Sequence, residues 1–210
     1  MTQILLSDGT YLQPPTDEYL VELAHRAAEP GAVLPAAEAH FVTWIEGRTP
    51  QQIVRQRIAR VQANRDLTRR PGWTLDLAVM VEGQPVGLQS LSGFDQWPHH
   101  RVVGTTSWLL ASFQGRGIGT STRAAVLELA FAHLHANSAK TWVLEDNRAS
   151  IHVSSKLGYR LIDRHHITER GRRHAEGVYQ LDRDAWMNSP ARQRYRPTIT
   201  SIDGIIDLLG

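Results

Sequence analysis

The spacing of apolar residues changes in mid-chain. An opening stretch from Ile4 to Leu12 reads as a short strand. From Thr16 to Ala28, Leu20, Leu23 and Ala24 fall at i, i+3 and i+4, one face of a helix that Thr16 is placed to cap. Proline and glycine break the pattern between Pro30 and Pro35. Thr49 and Pro50 then supply a cap and a first-turn proline for a longer helix reaching about Leu67, with Ile53, Ile58 and Val61 on one stripe. At Arg69-Arg70-Pro71-Gly72 the character switches. Trp73, Leu75, Leu77 and Val79 alternate as a half-buried strand does, and Glu82-Gly83-Gln84-Pro85 turns the chain into a second strand, Val86 to Leu91. A third strand is expected from Arg101 to Leu110. A helix follows from about Ile118 to Leu134, with Ala125, Leu129, Ala132 and His133 inward. A strand from Thr141 to Leu144 leads to a helix from Arg148 to Leu157, stopped by Gly158. Two more strands bracket the polar turn Glu169 to Arg173.

This order predicts an α/β (α+β) architecture of three layers, a mixed sheet with helices on both faces. One domain is expected over residues 1–185, followed by a tail, 186–210, about which the pattern says little. Composition narrows the function classes. Basic and acidic residues nearly cancel, 23 against 21, which gives no support for nucleic-acid binding. The absence of cysteine excludes a thiol nucleophile and any thiolate metal site. No apolar run approaches the roughly 18 residues of a membrane span, and the first ten residues lack a signal-peptide core. A soluble, cytoplasmic protein is expected. Three histidine groups, His99-His100, His165-His166 and His174, lack acids at ligand spacing, and neighbours in a strand face opposite ways; no metal is expected. Trp108 and Trp142 fall in strand patterns and read as core.

The most informative segment is Gln114-Gly-Arg-Gly-Ile-Gly-Thr120, where a strand ends and a helix begins. Alternating glycines permit positive φ, and the first N–H groups of the helix converge on one point that the helix dipole makes attractive to anions. That suits a phosphate or pyrophosphate, with Arg116 adding charge. A tight connection would use glycines too. A Walker loop is excluded, since Gly119 is followed by Thr120 and Ser121 without lysine. A dinucleotide turn would want a small residue where Thr120 stands; Glu145 falls near its ribose-binding acid, so an oxidoreductase remains an alternative.

Gln114-x-x-Gly117-x-Gly119 resembles the acyl-CoA-binding motif of the GNAT (GCN5-related N-acetyltransferase) superfamily. Asn147-Arg-Ala-Ser-Ile-His-Val-Ser-Ser-Lys-Leu-Gly-Tyr159 is similar to the family's next motif, at the expected distance downstream. The likeness runs from about Leu75 to Leu181, and Trp108-Leu109 before the turn look most like the RimJ/RimL-type branch. The resemblance implies a GNAT-like fold whose mostly antiparallel sheet has about seven strands, the helical segment 16–70 covering the acceptor side. Backbone groups of Gly115, Arg116, Gly117, Ile118, Gly119 and Thr120 would hold the pyrophosphate. Trp108, Leu109 and Leu110 would pair with the pantetheine amides as an added strand, and Asn147 would hydrogen-bond the same arm. Lys156 either approaches the phosphates or is solvated on its helix.

The implied reaction is direct attack of an amine on the thioester of acetyl-CoA or another acyl-CoA. The acceptor would be a small-molecule or peptide amine, and a homodimer fits the family. Relatives with a similar stretch look adapted to succinyl-CoA, which would need a cation near the thioester, such as Arg48 or Arg101. Ser154 stands where the family often places a tyrosine acid, which makes it the candidate proton donor to the thiolate, or an ordinary helix serine. The branch's glutamate near Gly104 is missing. Glu145, Asp146, Asp95 and Asp76 are the candidate bases, each equally readable as a surface carboxylate. These departures also admit an acyl-CoA-binding sensor without turnover.

Overall fold

The structure is a computed structural model that describes residues 3–68, 72–94, 97–169, 171–200 and 203–209. The switch at Arg69 to Pro71, the candidate base Asp95 and Arg170 of the polar turn lie outside the described residues. The first helix is α1 (Asp17–Ala28), capped by Thr16, whose hydroxyl accepts from the Tyr19 N–H. α2 (Pro50–Asn64) opens with a full capping box, Thr49 and Gln52 each accepting from the other's backbone N–H. Its inner face carries Ile53, Arg57 and Val61.

Three antiparallel strands follow: β3 (Trp73–Val81), β4 (Gln84–Gly93) and, after the helical turn α3 (Trp97–His100), β5 (Val102–Leu109). His99 and His100 thus sit on a helical turn rather than in a strand. Leu75, Leu77 and Val79 pack on one face of the sheet, while Ala78, Met80 and Leu88 meet Leu20, Leu23 and Val61 on the other. β3 is therefore buried on both faces, not half-buried, because helices cover each side. α4 (Ile118–Glu128) runs into a π turn, Leu129–His133. Then come β6 (Ser138–Leu144), α5 (Arg148–Lys156), β7 (Arg160–Glu169) and β8 (Arg172–Asp182).

Among the described residues the sheet has nine strands, in the order β7-β8-β6-β5-β4-β3-β2-β1-β9. The expectation of about seven is corrected at its far edge. The opening stretch is a hairpin, β1 (Gln3–Leu5) and β2 (Tyr11–Gln13), because Asp8 accepts from the Thr10 N–H and Gly9 adopts φ +82° to reverse the chain. β9 (Thr198–Thr200) adds to β1 from the C-terminal segment. That segment also supplies α6 (Arg183–Met187), α7 (Pro190–Arg194) and α8 (Asp203–Leu209). Trp186, Ile205 and Leu209 join the core formed by β3 and α4, and Trp97 Nε1 donates to the Leu209 carbonyl. Among the described residues, no helix is long and apolar enough to cross a membrane.

One feature of the topology positions the site. β5 and β6 are the parallel pair, and they pair only from Val102–Ser138 to Gly104–Lys140. Beyond that only the Thr141 hydroxyl still reaches across, to the Thr105 carbonyl, and the strands diverge, leaving one edge of β5 open from Thr106 to Leu109.

Candidate functional site

At the end of β5 the chain passes through a short 3-10 turn (Ala111–Phe113) into the glycine turn. Gly115 and Gly117 have φ of +72° and +86°, and Gly117 is the N-cap of α4. Left-handed backbone at both positions is why glycine is needed there. Thr120 and Ser121 N–H return to the Gly117 carbonyl. The N–H groups of Ile118 and Gly119 have no helical acceptor, as in any first turn. Arg116 is exposed, its guanidinium 5.4 Å from the Phe113 ring. Gln114 is tied elsewhere: its amide donates to the Leu109 and Val33 carbonyls and so braces the turn.

The open edge of β5 differs in detail from expectation. Leu110 N–H donates to the Val86 carbonyl and is already committed. Antiparallel alternation then turns the Trp108 backbone toward β4 and leaves the groups of Ser107 and the Leu109 N–H on the open side, the Leu109 carbonyl being taken by Gln114. The close approach of β4 agrees: a Cβ on Gly87 would lie 2.3 Å from the Trp108 carbonyl oxygen. The backbone groups turned to the open side are thus those of Ser107 and Leu109, while those of Trp108 and the Leu110 N–H face β4.

The edge opens into a cleft of about 280 Å³ reached by α2, β3 to β8 and the loop before α2. Trp44 and Trp108 meet edge to face in its lining, with ring centroids 5.1 Å apart, and Trp142 borders it with 42% exposure. Trp142 is thus a cleft residue rather than core, whereas Trp108 lines the cleft and also packs against the core around Leu20, Val61 and Leu88. Asn147 also lines it, while its Oδ1 caps α5 by accepting from the Ser150 N–H.

Three arginines face the cleft: Arg57 and Arg60 from α2, and Arg123 from α4. Arg123 is buried, donates to the hydroxyls of Ser154 and Ser107, and has an Nε without a hydrogen-bond partner. Burial lowers its pKa, with the Tyr159 phenol acting in opposition. Arg57 is also buried, lies 4.3 Å over the Trp44 ring and has an unpartnered Nε. Its pKa falls to about 10, first through burial and then through Arg60, against the pull of Asp76. Sequence reasoning missed both groups, although each carried a signal. Arg57 occupies the inner stripe between Ile53 and Val61, and Arg123 directly precedes the apolar run Ala124 to Leu127 of a helix buried on nearly every side.

Ser154 is fully buried, accepts from Arg123 and donates its proton to the Ser150 carbonyl. In this arrangement it offers no proton to the cleft. Tyr159 is no substitute acid, since burial raises its pKa and its hydroxyl pairs with Thr105. Asp76 lines the cleft, but its oxygens already accept from Ser90 and Asn64. Glu145 is half-exposed and paired with Arg164, and Asp146 with His40. Glu169 and Glu176 border the cleft from β7 and β8, Glu176 pairing with His165 at 3.0 Å. Lys156 is exposed on α5. Arg101 turns toward Trp97 and the Leu134 carbonyl, whereas Arg48 acts electrostatically on Arg57.

Comparison with known proteins adds an independent finding. Residues 10–160 match the family model described as an acetyltransferase (GNAT) domain. Among solved structures, RimJ of Mycobacterium smegmatis, in complex with CoA-disulfide, is similar at TM-score 0.70 and 17% identity, covering 91% of this chain and 90% of its own. RimL, a ribosomal L7/L12 alpha-N-protein acetyltransferase in complex with coenzyme A, is similar at TM-score 0.65 and 21% identity, covering 84% of this chain and 95% of its own. A GCN5-related N-acetyltransferase from Brucella melitensis is similar at TM-score 0.69 and 13% identity, over 89% and 80%.

Proposed function

The chain belongs to the GNAT acetyltransferase family, and from that premise we propose that it transfers an acyl group from acyl-CoA to a primary amine by direct attack. The observation that supports this most is the continuity of two features. The first-turn N–H groups of α4 lie shortly after a strand edge that no neighbouring strand pairs with from Thr106 to Leu109. A pyrophosphate on the turn from Gly115 to Thr120 leaves the pantetheine arm to run along that edge, pairing with Ser107 and Leu109. Asn147 meets the arm from the other side through its side-chain amide. Lys156 is left as a solvated helix lysine.

The thioester then lies in the cleft beside Arg123. A fixed guanidinium in a site of low dielectric favours the charge that develops as the thiolate departs, with no proton donor required. Ser154 holds that guanidinium by accepting from it and is a positioning residue rather than an acid. The ammonium proton of the acceptor leaves toward the carboxylate side of the cleft, at Glu169 and Glu176. Acetyl-CoA is the default donor and succinyl-CoA the alternative. RimL's name identifies a protein N-terminus as its acceptor, so a peptide amine and a small-molecule amine are the two acceptor classes to test.

Thermal melts with acetyl-CoA, succinyl-CoA and NAD separate this reading from a dinucleotide-binding one. A ligand at 100 times its dissociation constant adds about 2.7 kcal/mol. Stabilisation by CoA esters together with free-thiol release in the presence of amines is expected. Stabilisation by NAD and by no CoA ester overturns the reading, and CoA binding without thiol release from any amine favours a sensor.

A further inference from the structure

Arg57 is out of place as a structural residue. It projects from the inner face of α2, between Ile53 and Val61, and only 7% of its surface is exposed. Among the described residues no carboxylate forms an ion pair with it, and its Nε lacks any hydrogen-bond partner. The groups that act on it electrostatically are Arg60 and Arg48, which repel it, and Asp76, which attracts it. Asp76 is a weak answer to three guanidinium charges, because Ser90 and Asn64 already occupy its oxygens. Its position over the Trp44 ring, 4.3 Å from the centroid, offsets part of the desolvation by cation–π attraction. Arg60 borders the same cleft.

We propose that Arg57 and Arg60 form a carboxylate-binding subsite in the cleft, so that one of the two substrates carries a carboxylate. The proposal rests on the acyltransferase reading of the cleft. A planar guanidinium held over an indole at 4.3 Å still carries its donors as a fork, the geometry that matches a carboxylate with two parallel hydrogen bonds. The pyrophosphate has its own place at the glycine turn. The cleft volume of about 280 Å³ equals roughly nine water molecules at about 30 Å³ each. That suits a short dicarboxylic acyl chain or the carboxylate of an amino-acid-sized amine.

Equilibrium binding distinguishes the two sources. In one arm CoA, acetyl-CoA and succinyl-CoA are titrated into the wild type and into Arg57→Leu. In the other, the acetyl-CoA complex is titrated with an amino acid and with its uncharged amide. One arm is expected to favour the carboxylate-bearing member by about tenfold to a hundredfold, the worth of a charge-assisted hydrogen bond. Arg57→Leu should erase that preference and leave the affinity for CoA unchanged, which also shows that the variant folds. Arg60→Gln, at an exposed position, should reduce it in part. If CoA binds but neither pair is discriminated by more than about threefold, or if Arg57→Leu keeps the preference, the subsite is overturned and the acyltransferase reading stands. If CoA itself does not bind, both fall together.

Discussion

Among the described residues, arginines turn inward at the C-terminal segment and in the cleft, and the two regions treat their charge differently. On one side, Arg192 of α7 reaches the Glu128 carboxylate of α4 through both Nε and Nη2 at 2.8 Å, and Trp186 Nε1 donates to the same carboxylate. Burial alone would raise the Glu128 pKa, but the hydrogen bonds from Arg192 and Trp186 prevail and hold it below the usual carboxylate range. Every charge there has a partner, and the result fastens the C-terminal segment to the sheet. In the cleft, Arg57 and Arg123 are more deeply buried than Arg192, yet Arg123 meets only hydroxyls and Arg57 an aromatic face. A buried charge with a partner belongs to the fold. One without a partner costs stability, and on the reading proposed above a substrate supplies the opposing charge.

The sharpest way to break this contrast is to remove Arg123. Arg123→Met should lower the single-turnover rate of acyl transfer by about a hundredfold to a thousandfold, the usual effect of deleting one electrostatic donor to a developing negative charge. The acyl-CoA dissociation constant should change little, because the interaction grows only as charge builds on sulfur. An unaltered rate in a folded variant would make Arg123 a structural residue and remove the charge from the mechanism.

The partnered side predicts the opposite division of effects. Arg192→Ala leaves the Glu128 carboxylate buried without its cation and should cost about 3 kcal/mol of stability in urea unfolding, with activity per folded molecule unchanged. The pH dependence follows in sign. A carboxylate depressed in the folded state contributes stability fully above its unfolded value near about 4.3, and that contribution is lost as pH falls through the folded value. The wild type should therefore lose stability below about pH 4, and Arg192→Ala should lose less over the same interval. Arg57→Leu is the mirror measurement. It removes a charge whose penalty is fully present below its folded pKa of about 10, so stability at pH 7 should equal that of wild type or exceed it. A loss as large as that of Arg192→Ala would place Arg57 with the fold.

The two kinds of charge were unequally legible in the sequence. Helices α1 and α2, the β3–β4 hairpin and the strand–glycine–helix unit follow from local pattern, since caps, turn residues and apolar spacing act within a few positions. The nine-stranded sheet does not follow locally. β9 pairs with β1 across nearly the whole chain, and three residues such as Thr198–Thr200 carry no pattern of their own. The glycine turn was legible because its chemistry is backbone chemistry, written in glycines. The arginines were not, because whether a buried arginine has a partner depends on residues far away in the chain. Glu128 and Arg192 are 64 positions apart. Ser154 shows the same limit: its place in the motif suggested an acid, while its contact with Arg123, 31 positions back, gives it a different task.

That task sets the smallest effect. If Ser154 acts only by holding Arg123, Ser154→Ala removes one acceptor and leaves the bond to Ser107 in place. Single-turnover transfer with saturating amine should then slow by about threefold or less, within the range of a modest packing change. A proton donor would cost about a hundredfold or more. The double variant Arg123→Met with Ser154→Ala separates the cases more firmly than either alone. A residue that works through Arg123 has nothing left to position once the guanidinium is gone, so the double variant should be no slower than Arg123→Met. An independent donor would multiply its own loss onto that of Arg123, because two groups acting on separate steps of charge development add in free energy. Multiplicative losses, with the pH–rate profile changed in Ser154→Ala, would return the serine to the role of acid.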